Sequence, residues 1–415
     1  MNRFSKKQIG LYSAAAIFVA VCCMLIVLSW LNGQVSTARE LAEDQRWNDA
    51  SQILRHYLKF QPRDAEARIL LSRCILSDNL SSIQKVANDA LECLAAIPKS
   101  SPESATARVV EGRIYLLLLL RPHAAEKCFR AAIELDPHRV EAHALLWKLY
   151  DLTRRWHLSE EHFWQVYDHS QPRDRDKLLR DWYLSEFHPA SAISDLDRQL
   201  GILHDDEQPN VEVERRRYEM FIAAEPDSPI GYTCLARWFH QQGLSARGLE
   251  AIEQAEQLAG GREDPFTIAT HVAMSFERGD FDEAREHFRR WPRDDTGYEY
   301  WKTKGLICDQ ILRQNAESRD AYERALSSAA GQSDWLTRHR LAQVLMRMDL
   351  KDEAALVRHR SKELEHQMEP TVHQPLRDAL AHPESRDTRR LIANFYEGIG
   401  RPRESRAWSE LATER

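Results

Sequence analysis

Small residues recur along most of the chain where the two helices of a hairpin would have to cross. Asp49-Ala50-Ser51, Ala124-Ala125, Leu158-Ser159, Arg247-Gly248, Glu283-Ala284, Glu317-Ser318, Glu353-Ala354 and Glu404-Ser405 mark one such position. From Ala125 through Ser159, Gly248, Ala284, Ser318, Ala354 and Ser405 the successive spacings are 34, 89, 36, 34, 36 and 51 residues. Four residues after the mark a large apolar group follows (Leu54, Phe129, Phe163, Ile252, Phe288, Tyr322), and seven after it another small one (Ala132, Ala255, Ala325, Ala412). Offsets of four and seven keep these side chains on one helical face. Several of these segments run out at a proline, as at Pro62, Pro137 and Pro226, which cannot continue a helix. The pattern predicts nine or ten helical pairs. A hairpin of this length cannot bury its apolar stripe alone, so neighbours must stack.

These residues resemble the tetratricopeptide repeat family over roughly residues 36–415. The clearest unit runs from Trp301 through Gly305 and Cys308 to Ser318, Tyr322, Ala325 and Leu326. Close to it are Gly112-x-x-Tyr115 leading to Ala125, Phe129, Ala132 and Pro137, and Tyr232, Leu235, Ala236 and Phe239 leading to Gly248, Ile252 and Ala255. Ile392, Ala393 and Tyr396 lead in the same way to Ser405 and Ala412. A period of 34 residues is that family's signature. The resemblance implies an all-α, right-handed α-solenoid of stacked helical hairpins. The repeats divide into residues 36–172, 228–366 and a final unit within 367–415. Between them, residues 173–227 keep helical periodicity but lose the pattern, which implies a degenerate repeat or a kink. Glu369-Pro370 to Ser385 is a second irregularity.

The first thirty residues behave differently. Ile9 to Leu31 is uncharged over 23 residues, about 34 Å as a helix, enough to cross a hydrocarbon core of about 30 Å. The run is longer than the 7–15 residues of a cleaved signal peptide and lacks a small-x-small site after it. A transmembrane anchor over 9–31, in contact with the lipid bilayer, is the expectation. Arg3, Lys6 and Lys7 precede it, which puts a short basic tail, 1–8, in the cytoplasm and the repeats in the periplasm or another external compartment.

Fifteen glycines and 16 prolines in 415 residues are too few for a many-stranded sheet protein, and 43% hydrophobic with 29% charged residues is a globular balance. A net charge of −7 despite the basic leader argues against nucleic acid as a partner. The seven cysteines contain no Cys-x-x-Cys, and Cys74 and Cys93 pair only if an oxidising compartment joins neighbouring helices. Of 17 histidines none forms His-Glu-x-x-His; His157 and His162, five apart, do not share a face and read as solvated. No phosphate-cradling glycine loop or nucleophile elbow occurs. The expectation is no catalytic residue, no cofactor, no metal and no small-molecule substrate. Tryptophans such as Trp147 and Trp301 read as packing groups.

What remains is surface. In the family it resembles, the first helix of each pair lines the concave face, which implies inward positions for Arg237, His240, Lys302, His339, Gln343, Arg390 and Asn394. Such a set suits an acidic segment or a chain-terminal carboxylate. The functional expectation is a membrane-anchored scaffold for protein–protein interaction in envelope assembly. Two alternatives stand beside it: an enzyme or enzyme subunit with its site in residues 173–227, and a glycan- or lipid-binding module with aromatics on the concave face.

Overall fold

The computed structural model describes residues 33–77, 81–260, 264–293, 296–380, 382 and 385–413. They divide into two compact units, 33–119 with 127–137, and 120–126 with 138–413. Among the described residues every regular element is helical. The first unit pairs a helix over 33–43 with Trp47–Tyr57, and Ala65–Leu76 with Ile83–Ala95, before Ser104–Arg113. The second begins with Val140–Leu152 and Trp156–Asp168 and ends with Arg386–Gly398 and Pro402–Thr413.

A single backbone device makes the hairpins. Five residues before each of the eight small marks, the chain adopts positive φ: Gln45 (62°), Leu120 (54°), Arg154 (57°), Gly243 (72°), Gly279 (80°), Arg313 (53°), Asp349 (59°) and Gly400 (81°). A left-handed residue at a helix C-terminus turns the chain out of the helix, and the next N–H reaches back five residues to an otherwise orphaned carbonyl. Six of the eight turns close this way: Arg46 N–H donates to Leu41 O at 2.8 Å, Arg155 to Tyr150 at 2.9 Å, and Leu244 to Phe239 at 2.8 Å. Asp280 donates to Ser275 at 2.9 Å, Leu350 to Leu345 at 3.0 Å and Arg401 to Tyr396 at 2.8 Å. Starts are fixed by side chains: Asp64, Ser82, Asn210, Ser228, Asp264 and Asp334 each accept a first-turn N–H.

The turns set the packing. Ala50, Ala125, Ser159, Gly248, Ala284, Ser318 and Ala354 are buried, while Ser405 is only half-buried. Leu54, Phe129, Phe163, Ile252 and Tyr322, four residues later, have no exposed surface. The aromatic at this position lies against a glycine seventeen residues earlier: a Cβ on Gly112 would overlap the ring of Phe129, and one on Gly305 that of Tyr322. Gly305→Ala is therefore expected to cost about 1–3 kcal/mol through overpacking. Gly279→Ala, where a Cβ would have open space, is expected to cost about 1–2 kcal/mol from the left-handed backbone alone. Urea denaturation of both variants checks this, and a neutral Gly305→Ala would refute the close approach.

The second unit closes on itself. Trp147, Phe163, Trp164, Tyr167, Leu179, Trp182 and Tyr183, from its first helices, form one cluster with Leu364, Leu376, Ile392, Phe395, Tyr396, Trp408 and Leu411 from its last. Phe163 and Trp182 stack at 4.6 Å with planes 9° apart. Ion pairs follow the same seam, Arg403 to Asp168 at 2.7 Å and Arg389 to Asp176 at 3.4 Å. The helices Pro172–Phe187 and Pro370–Ala379, which help make the seam, lie in the two stretches where the repeat pattern breaks. Within 173–227, Asp197 and Arg217 form a buried bidentate pair at 2.7 and 2.6 Å.

The expected transmembrane helix and single-pass location need correction. No helix among the described residues is long and apolar enough to cross a membrane. Lys351–Gln367 has 17 residues against the about 20 that a span needs, and charges interrupt it throughout. Residues 9–31, where the anchor was placed, and the tail 1–8 lie outside the described residues.

Candidate functional site

In the second unit the first helices of successive hairpins, Pro229–Gln241, Pro265–Arg278, Tyr298–Leu306 and Trp335–Arg347, line a double groove. One cavity, of about 450 Å³, is bounded by Arg154, Trp156, His157, Trp182, Phe187, Arg237, Lys302 and Trp335. The other, of about 340 Å³, contains His240, Phe276, Glu277 and Arg340. Arg237, Glu299 and Lys302 border both.

Lys302 is fixed. Its Nζ lies 3.2 Å from Asp334 Oδ2 and donates to the Tyr298 hydroxyl at 3.0 Å, and that hydroxyl donates to Asp334 at 2.6 Å. Asp334 also accepts from Thr337 N–H at 2.9 Å and from the Thr337 hydroxyl at 2.6 Å, so one carboxylate caps a helix and seats the lysine. Burial pushes the Asp334 carboxyl up, but Lys302 and the hydrogen bonds outweigh it and hold it down at about 2. Burial disfavours the Lys302 cation, yet the Tyr298 hydroxyl and Asp334 raise its pKa above the usual lysine value.

Arg237 stacks over Phe266, 5.0 Å from the ring centroid, and among the described residues forms no carboxylate ion pair. His240 Nε2 lies 3.2 Å from Glu277 Oε1. Of the seven residues singled out from sequence, Arg237, His240 and Lys302 thus come together. His339 and Gln343 pair with each other at 2.9 Å on an exposed face, and Arg390 and Asn394 are exposed on Arg386–Gly398; none of these four lines either cavity.

The groove is mixed in charge, since Glu160, Glu186 and Glu299 also face it. At its closed end Arg401, 4% exposed, meets Glu186 Oε1 at 3.0 Å and Glu160 Oε1 at 3.2 Å, and pairs with Glu404. Tyr396 donates to the other Glu186 oxygen at 2.7 Å. Burial pushes the Glu186 carboxyl up against the pull of Arg401, with Glu404 and Glu160 adding to the rise. Trp182, Phe187 and Arg401 reach the site through closure of the unit, and no local motif marks them. Arg154 carried a signal, since it sits five residues before the Ser159 mark.

His157 and His162 are half-buried rather than freely solvated. His157 Nδ1 lies 3.7 Å from Glu299 in the groove, and His162 Nδ1 is 2.8 Å from His143 Nδ1 while its ring stacks on Tyr150. Trp147 and Trp408 are core, but Trp156 is 38% exposed. Cys74 and Cys93 are free, buried thiols.

No protein-family model and no curated protein sequence matches the chain. Among solved structures it is similar to the APC/C hetero-tetramer Cut9–Hcn1, at 12% identity over 92% of this chain and 76% of that one, with a TM-score of 0.38. A monomeric mutant of IFIT1 with Gppp-AAAA gives 13% identity over 91% and 79% and a TM-score of 0.32. A tetratricopeptide repeat protein from Parabacteroides merdae gives 14% over 63% and 91% and a TM-score of 0.29. Scores below 0.5 carry no argument. The fold of stacked helical hairpins rests on this chain's own phased turns, helix caps and glycine–aromatic contacts.

Proposed function

We propose that the chain is a protein-interaction scaffold, and that the double groove of its second unit receives a segment of another protein carrying an acidic group beside an apolar one. The observation that carries this reading is the arrangement around Arg237. Its guanidinium is half-buried on Phe266, borders both cavities and lies in a groove that also offers Trp156, Trp182 and Trp335. A cation seated on a ring and short of a carboxylate suits a charge-assisted bond to an incoming anion. Aromatic walls suit an apolar anchor residue. The ionisable groups of the irregular segment support binding over catalysis. Asp197 is held by Arg217, Glu207 by Arg216 at 2.7 Å, and Glu214 by Arg154 at 2.8 Å.

Peptides selected from a displayed random library against the full chain test the reading. Arg237→Glu is expected to weaken the selected peptides at least about tenfold, since a charge-assisted bond contributes about 1.5–3 kcal/mol, while Arg390→Glu leaves them unchanged. Thermal melting checks that both variants fold, and Arg237→Gln serves if the reversal does not. Selected peptides indifferent to Arg237, or sensitive to Arg390 instead, would overturn the assignment.

A further inference from the structure

A second cluster lies away from the groove lining. Glu256 on Ser245–Ala259, His271 on Pro265–Arg278 and His287 on Phe281–Arg289 bring one carboxylate oxygen and two imidazole nitrogens to within 4.8 Å of one another. Both Nδ1 atoms converge on Glu256 Oε1, that of His271 by a hydrogen bond and that of His287 at 2.9 Å. The latter contact lacks hydrogen-bond geometry, so His287 Nδ1 is buried without a bonding partner, in a side chain only 8% exposed. The two rings stack with centroids 3.6 Å apart. A buried, unbonded ring nitrogen costs free energy of order 1–3 kcal/mol unless something meets it.

We propose that Glu256, His271 and His287 bind one divalent transition-metal ion, with Zn2+ the best fit. Two imidazoles and a carboxylate suit zinc and its neighbours rather than calcium or magnesium, which take oxygen. Zinc bonds of about 2.0–2.1 Å at tetrahedral angles set ligand atoms roughly 3.3 Å apart. The donors therefore need to open only slightly, with the rings splaying out of their stack, and the fourth position is left to solvent. The surroundings place a carboxylate behind one ligand. His271 Nε2, buried and without a hydrogen bond, lies 3.5 Å from Glu283 Oε1, and Glu283 is itself held by Ser275 Oγ–H at 3.0 Å and by Arg278. A small turn of the ring as the donors open would let Nε2–H donate to Glu283, and a carboxylate so bonded fixes a ligand histidine and leaves its opposite nitrogen to coordinate. Three helices from two hairpins carry the ligands, so the ion would tie consecutive repeats together.

The full chain, stripped with a chelator, is titrated with Co2+ and followed by its visible d–d absorption, with Zn2+ as competitor. One equivalent is expected to bind and Zn2+ to displace it. Glu256→Gln and His287→Gln are each expected to lower affinity at least about tenfold, and Glu283→Gln by about 10–100-fold. Absorption that never saturates at one equivalent, or that persists unchanged in both ligand variants, would overturn the site. Should the variants fail to fold by circular dichroism, X-ray absorption of the Zn2+-loaded wild type decides. Two imidazole donors support the assignment, and a shell without imidazole refutes it.

Discussion

Arg401→Met is expected to destabilise the second unit by about 3–5 kcal/mol, the cost of stripping one partner from a buried ionic cluster. The side chain is almost wholly buried and is the cation that Glu160, Glu186 and Glu404 share across the seam. The deficit should depend on pH. Burial raises Glu160 and Glu186 above the ordinary glutamate value even with Arg401 present. A carboxyl raised in the folded state contributes stability fully below its unfolded value and loses it as pH rises through the folded one. Removing Arg401 raises both further, so the variant should approach wild type in mild acid and fall away from it toward neutral and alkaline pH. Urea denaturation at a series of pH values measures this. A deficit below about 1 kcal/mol, or one constant with pH, would show that the cluster does not hold the seam.

Arg217→Met should cost a similar amount, about 3–5 kcal/mol, for the same reason at a different place. Asp197 and Arg217 are both about 2% exposed, and each is the other's bidentate partner. The double variant Asp197→Leu/Arg217→Met should recover most of the loss, because two well-packed apolar groups leave no buried charge behind. Chemical denaturation of the two singles and the double forms a cycle whose coupling term gives the answer. A double variant as unstable as the single would mean that the pair fixes the path of residues 194–217 through its hydrogen-bond geometry rather than through mutual neutralisation.

The hairpins were legible because packing imposes local periodicity. Gly305 and Tyr322, or Gly112 and Phe129, are tied by one turn, and such pairs recur in the linear text at fixed offsets. Three of the eight left-handed turns carry glycine, which reads as a stop signal. Gln45, Leu120, Arg154, Arg313 and Asp349 occupy the same conformation without announcing it, and only their phase relative to the small residue betrays them. The seam was illegible because its partners, such as Glu186 and Tyr396, lie 210 positions apart with no pattern relating them. The breaks in phase at 173–227 and 369–385 were visible, but not that helices from both would pack into one cluster. The groove suffered accordingly: Arg237, His240 and Lys302 follow from position in a repeat, whereas Trp182, Phe187 and Arg401 arrive through closure. Glu256, His271 and His287, spaced 15 and 16 apart on three helices, match no short motif, and no pairing of histidines within one helix marks them.

An open array of repeats melts like a frayed rope, its stability nearly additive over neighbours and its outermost element weakest. A unit whose last hairpin rests on its first has no outermost element. Detaching Arg386–Thr413 would uncover Trp147, Phe163 and Trp182 at the far end of the chain segment, so neither terminus can loosen alone, and cooperativity that would decay with distance in a linear stack is returned through space to where it began.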